Sequence, residues 1–158
     1  MTMLDVKSFA AGNWVLPDAT ARPIENAITG EVMARAGNSS LDVLGMLDYA
    51  RNVGGPALRA TTFHDRARMI KALAVELKKN RQALYDLSFA TGATQNDHMI
   101  DIDGGIGTMF VFASKGRREM PDAQIYLDGE VEQLSRNGTF LGQHVCTSLQ
   151  GAAVHINA

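Results

Sequence analysis

The sequence predicts an α/β protein, and three observations carry that prediction. Between residue 40 and about residue 119, apolar residues recur at steps of three and four, the period of amphipathic helices. The flanks on either side are rich in turn residues and β-formers instead. Finally, the chain ends on Gly151-Ala152-Ala153-Val154-His155-Ile156-Asn157-Ala158, a small and apolar run introduced by a glycine. A run of this kind reads as a strand covered on both faces of a parallel sheet. Such a strand needs a crossover before its next neighbour can pair, and none follows here. The expectation is a chain cut at the carboxyl end of a strand, where open α/β sheets place their ligands.

Taken in order, the first part runs to about Asn38 and is extended. Gly12-Asn13-Trp14 beside Pro17 and Asp18 predicts one turn, and Ile28-Thr29-Gly30-Glu31 a second. A short strand from Val32 to Ala36 follows. Strands this short make no core alone and must lie on something larger. Ser39 or Ser40 is placed to cap a helix through Leu44, Leu47 and Ala50, which Gly54-Gly55-Pro56 should stop. The clearest helix begins at Thr62, whose spacing to Asp65 is that of a capping box. Phe63, Ala67, Ile70, Ala74 and Leu77 form its apolar stripe, with Arg66, Arg68, Lys71, Lys78 and Lys79 on other faces. A further helix over Leu84, Leu87 and Phe89 should end at Gly92, and a long one should run from near Asn96 to Arg118. From Pro121 the chain reverts to strand. Residues 139–149 alternate polarity poorly and carry apolar residues on both faces, as an arm pairing with another subunit would.

Composition bounds the function. The chain has 158 residues, 46% of them hydrophobic and 20% charged, enough for one domain with a core. A formal net charge of -2 gives no electrostatic case for nucleic acid. No run reaches the ~18 apolar residues of a membrane helix, and the amino terminus has no secretory pattern. A lone Cys146 forms no internal disulfide and fits a reducing, cytoplasmic setting. The sequons at Asn38 and Asn137 then read as chance.

Several constellations invite chemistry. Asp101-Ile102-Asp103-Gly104 resembles the opening of a calcium loop, but the positions that should hold ligands at the first and twelfth places are Met99 and Phe110. The aspartates are instead expected to favour the start of a helix. Gly104, Gly105 and Gly107 are expected to allow close helix packing rather than to cradle phosphate, since no strand leads into them. Lys115-Gly116-Arg117-Arg118 could meet a phosphate-bearing ligand, or simply offset the negative end of a helix. His144 and Cys146 point to one face of a strand, a conceivable nucleophile pair, yet nothing nearby would activate the thiol.

Taken together, certain stretches resemble the N-terminal portion of the aldehyde dehydrogenase superfamily. Asn26-Ala27-Ile28-Thr29-Gly30-Glu31 is similar to that superfamily's early turn motif, with Ala27 where proline is usual. Gly55-Pro56-Ala57-Leu58-Arg59-Ala60, Arg66-Ala67-Arg68-Met69, Ala90-Thr91-Gly92-Ala93-Thr94, Asp101-Ile102-Asp103-Gly104-Gly105-Ile106-Gly107-Thr108, Ala113-Ser114-Lys115-Gly116-Arg117-Arg118-Glu119 and Ala153-Val154-His155-Ile156-Asn157-Ala158 follow in order. These resemble most the bifunctional aldehyde dehydrogenase/enoyl-CoA hydratases of phenylacetate degradation, with the semialdehyde dehydrogenases of the benzoyl-CoA epoxide pathway nearly as similar. Ala152 and Asp103 stand where valine and glutamate are more usual.

The resemblance implies the following. Residues 1–137 form the extended and helical part of a cofactor-binding domain, 138–150 an oligomerisation arm, and 151–158 the first strand of a truncated Rossmann-like unit. The parent oxidises a CoA-linked semialdehyde with NADP or NAD, in the cytoplasm, as a homo-oligomer paired through 139–149. Ile156, Asn157 and Ala158 begin the loop that lines the NAD(P) site. Asp101 matches a carboxylate that in some members helps to hold a monovalent cation, with backbone carbonyls near Ile24 and Glu25. No catalytic residue is implied within the chain. The superfamily's oxyanion-holding asparagine would be the second residue after Ala158, and its nucleophilic cysteine and general-base glutamate lie further on. The 158 residues are therefore expected to bind no cofactor and to be inactive. Rival readings are a helical interaction module pairing through 139–149, and a cysteine hydrolase using Cys146 and His144.

Overall fold

A computed structural model describes residues 3–156. Two long helices, α3 (Phe63–Lys79) and α6 (Gly104–Glu119), pack side by side and form the centre. Their contact is lined by the small residues Ala67 and Ala74 on α3 and Ala113 on α6, with the larger Ile106 beside them, all buried. Gly116 completes it, since a Cβ there would stand 3.2 Å from the Ala67 Cβ. Small side chains let the two backbones approach, and that approach excludes water from both stripes. The close-packing glycine is thus Gly116. Gly105 and Gly107 face open space, and Gly104 meets only the Met99 carbonyl of its own helix, at 3.9 Å. Expectation placed the packing at those three because a glycine run is visible in sequence, whereas the partner surface is not.

The capping box at Thr62 forms as expected. The Thr62 hydroxyl accepts from the Asp65 amide at 3.1 Å, and the Asp65 carboxylate accepts from the Thr62 amide at 3.0 Å. Helix α4 (Arg81–Phe89) follows, and the chain turns at Gly92, whose φ of +88° suits glycine. There the Ala27 amide donates to the Ala90 carbonyl at 2.8 Å, tying the N-terminal strands to the end of α4.

Other boundaries differ from expectation. Helix α1 (Val43–Tyr49) is capped by Asp42, which accepts from the Gly45 amide at 2.9 Å. Ser40 instead donates to the Leu16 carbonyl, and Ser39 to Asp18. Gly54-Gly55-Pro56 does not stop the helix: a π-helical turn over Ala50–Gly54 leads directly into α2 (Gly55–Arg59). Pro56 lies in the first turn of α2, immediately after the π-helical turn. Thr94 starts α5 (Gln95–His98) with a second capping box to Asp97, and a π-helical turn over Met99–Asp103 joins α5 to α6. Asp101 and Asp103 therefore sit mid-helix, not at a helix start.

The strands form three small sheets. β1 (Leu4–Asp5), β5 (Val32–Ala36) and β4 (Arg22–Glu25) lie in the order β1-β5-β4, with β1 parallel and β4 antiparallel to β5. β2 (Ser8–Ala10) and β3 (Asn13–Val15) make a hairpin in which Phe9 and Trp14 meet edge to face. β6 (Tyr126–Gln133) and β7 (Leu141–Cys146) make the third, antiparallel and bulged where Gly129 takes φ +75°. Within residues 139–149 the chain forms the strand β7, paired on one edge with β6 of the same chain.

The expected terminal strand, 151–158, forms no strand over its described residues 151–156. A buried parallel strand takes its hydrogen bonds from neighbours on either side, and among the described residues no strand lies beside this run. Its apolar side chains are accordingly open to water, Val154 at 73% and Ile156 at 93%. Asn157 and Ala158 lie outside the described residues.

Candidate functional site

The residues expected to line a cofactor site can be placed only in part. Ile156 stands exposed in irregular backbone, and Asn157 and Ala158 fall outside the described residues. Among the described residues no strand-to-helix glycine turn is present that would cradle a pyrophosphate: Gly104, Gly105 and Gly107 lie along α6 itself. The described residues do not by themselves fit a dinucleotide.

Asp101 is exposed on the π-helical turn. Ile24 and Glu25 line a cavity of about 920 Å³ between the N-terminal strands and α4, and Asp101 is not among its lining residues. No group of three or more His, Cys, Asp or Glu side chains is arranged to hold a metal among the described residues. The neighbouring Asp103 is the engaged carboxylate. It accepts from the Tyr85 hydroxyl at 2.6 Å and stands 3.7 Å from Arg81, whose guanidinium also lies over the Tyr85 ring. That hydrogen bond to Asp103, aided by burial, raises the Tyr85 hydroxyl above its ordinary pKa.

Beneath this cluster lies His98, fully buried. Its ring stacks on Tyr85 at 4.9 Å between centroids and meets Phe89 edge-on at 4.2 Å, and neither ring nitrogen has a hydrogen-bond partner among the described residues. Nothing in the sequence marked it beyond its place after the Thr94–Asp97 spacing. His144 and Cys146 lie on β7, opposite Asp128 and Tyr126 respectively. The thiol is exposed, and no hydrogen bond joins the two side chains among the described residues.

Sequence reading placed Arg66 on an outer face of its helix but missed its role in joining segments. Its guanidinium donates to the Thr61 hydroxyl at 3.1 Å, the Leu58 carbonyl at 3.2 Å, the Thr61 carbonyl at 3.3 Å and the Ser148 hydroxyl at 3.1 Å. It also covers the Phe63 ring. One side chain thereby closes the end of α2, the start of α3 and the exit from β7.

A basic cleft opens between α3 and α6, with a volume of about 370 Å³. It is lined by His64 and Lys71 from α3 and by Phe110, Ser114, Arg117 and Arg118 from α6. The basic run at 115–118 is divided by the helix: Lys115 turns to Glu119 at 3.1 Å, while Arg117 and Arg118 face the cleft. His64 shares a hydrogen bond with the Met120 carbonyl at 2.9 Å, and its other nitrogen is 3.7 Å from Asp122.

Comparison with known proteins gives the class first: the chain is similar to a dehydrogenase. The particular relative is a 3,4-dehydroadipyl-CoA semialdehyde dehydrogenase from Aromatoleum evansii, 32% identical over 156 residues, which are 98% of this chain. The chain spans 30% of that relative's length. Kinship with a CoA-linked semialdehyde dehydrogenase is what the resemblance to aldehyde dehydrogenases implied. No family profile matches the chain.

Proposed function

We propose that this chain forms the N-terminal region of an NAD(P)-dependent aldehyde dehydrogenase that oxidises a CoA-linked semialdehyde to its acid during aerobic aromatic degradation, with phenylacetate as the source pathway. The observation that carries this reading is the relative that aligns with 98% of the chain. The surface supports it as well. Leu44, Ile100, Leu149 and Ile156 are all at least 71% exposed, and the apolar cavity against α4 is large. Apolar surface on this scale is what a further body of protein would cover.

In this reading residues 1–137 brace the cofactor domain, residues 138–150, which hold β7, are the arm through which subunits pair, and Ile156, Asn157 and Ala158 lead into the cofactor loop. Asp101 remains the candidate for a monovalent cation. The chemistry would need a thiolate, an oxyanion donor and a base, and we assign none of these to the 158 residues. Cys146 is exposed on the β6–β7 hairpin, opposite Tyr126.

The test compares the 158-residue chain with the longer polypeptide encoded by its reading frame. Reduction of NAD(P) is followed at 340 nm with a CoA-linked semialdehyde as substrate. The longer polypeptide should turn over and the 158 residues should not. Aldehyde oxidation by the 158 residues alone, or an inert longer polypeptide, would defeat the proposal.

A further inference from the structure

We propose that the cleft between α3 and α6 is a binding site for a phosphate monoester, and that the nucleotide end of a CoA-linked substrate supplies it. The choice of CoA rests on the function proposed above; the phosphate site itself does not.

Three cations line the cleft without a carboxylate partner. Among the described residues Lys71, Arg117 and Arg118 form no ion pair, whereas neighbouring Arg68, Lys79 and Lys115 each do. The acidic side chains nearby are engaged elsewhere: Asp122 stands 3.7 Å from His64 and accepts from the Thr62 hydroxyl at 2.6 Å, and Glu119 pairs with Lys115 at 3.1 Å. The carboxyl end of α6 adds about half a negative charge, which falls well short of three positive ones. Like charges gathered in one concavity repel, and a dianion relieves that repulsion. Two arginines suit the task because a planar guanidinium grips phosphate oxygens in pairs. Ser114 adds a hydroxyl, and the half-buried Phe110 offers an apolar face against which a base can lie. A volume of about 370 Å³ sits at the small end of ligand cavities, suited to a nucleotide phosphate rather than a whole CoA molecule.

The inference is tested by titrating the isotopically labelled 158-residue chain with four probes: CoA, 3′-dephospho-CoA, adenosine 3′,5′-bisphosphate and inorganic phosphate. CoA and the bisphosphate should shift the amides around residues 64–71 and 110–118. Both should bind about tenfold or more tightly than 3′-dephospho-CoA, the loss expected when charge-assisted hydrogen bonds are removed. Lys71→Gln, and the pair Arg117→Gln with Arg118→Gln, should each weaken binding about tenfold while leaving the circular dichroism spectrum unchanged. Inorganic phosphate binding as tightly as CoA, through the same residues, would uphold the phosphate site and overturn CoA as its source. Absence of shifts at the cleft with every probe, or variants that bind as well as the parent, would overturn the site. Failure of the longer polypeptide to oxidise a semialdehyde would sink the proposed function and leave these shifts untouched.

Discussion

The α3–α6 pair and the β6–β7 hairpin with its exit at 147–156 are built on opposite terms. The helices meet through alanine and glycine and exclude water, so each fixes the other. The hairpin is exposed along nearly its whole length and pairs only with itself. Its entry is fastened to the start of α3: Phe63 donates to the Ala123 carbonyl, Gln124 to the Ala60 carbonyl, and Thr62 to Asp122. Its exit, among the described hydrogen bonds of residues 147–156, is held by Arg66 and Ser148 alone. The N-terminus of α3 thus serves both regions, closing a helix on one side and rooting an arm on the other.

The largest effect should come from enlarging the helix contact. Gly116→Leu would drive a side chain into Ala67, and overpacking of this kind costs about 3 kcal/mol. Thermal or urea unfolding should show the loss. The same change at Gly107, which faces open space, should be neutral or slightly stabilising. Equal losses at both positions would remove the contrast between the contact and the rest of α6.

Next comes His98. Two unpartnered nitrogens between Tyr85 and Phe89 are a polar burial without compensation. His98→Phe should therefore stabilise the chain by about 1 kcal/mol, read from the urea midpoint. A loss instead would mean that the imidazole has a partner, such as a buried water.

The cap at Thr62 ranks third. Thr62→Ala should cost about 1 kcal/mol and also loosen the root of the hairpin through Asp122. The cap has a pH signature. Hydrogen bonds from Thr62, chiefly its backbone amide, and from Arg68 hold Asp65 below its ordinary pKa of 3.8, and Thr94 does the same for Asp97. A carboxylate lowered on folding contributes stability that is fully present above its unfolded pKa and is lost as pH falls through the folded value. Acid unfolding should therefore steepen below about pH 3.8, the unfolded reference value. Asp65→Asn with Asp97→Asn, which remove the titrating carboxylates, should flatten that limb while leaving β6–β7 pairing at neutral pH unchanged.

How much of this was legible follows the same divide. The Thr62 box, its apolar stripe and the turn at Gly92 were readable because each is decided within a few residues. The passage through Gly54-Gly55-Pro56 was not, because a π-helical turn carries the chain into the helix that holds the proline, and no local rule announces such a turn. The basic run at 115–118 was visible, but its meeting with His64 and Lys71 depends on how α3 and α6 dock. The terminal run 151–158 had a strand's composition without a neighbour to pair with among the described residues. Local rules wrote the helices; partners decide the strands.

The smallest expected effect is the sharpest probe of that divide. Ser148→Ala removes one half-buried hydroxyl, a change that normally stays within about 1 kcal/mol. The helices, held elsewhere, should keep their melting temperature. The exit from β7 would lose the hydrogen bond that ties it to Arg66, across a separation of 82 residues. Spin labels placed at Lys78 on α3 and Leu149 beyond β7 should then report a broader distance distribution than in the parent. Arg66→Met should broaden it as much, and should also lower stability because the Leu58 and Thr61 carbonyls lose their donor. A distribution that stays narrow in Ser148→Ala would show that the exit is held by packing rather than by this bond, and the arm would then belong with the helices rather than apart from them.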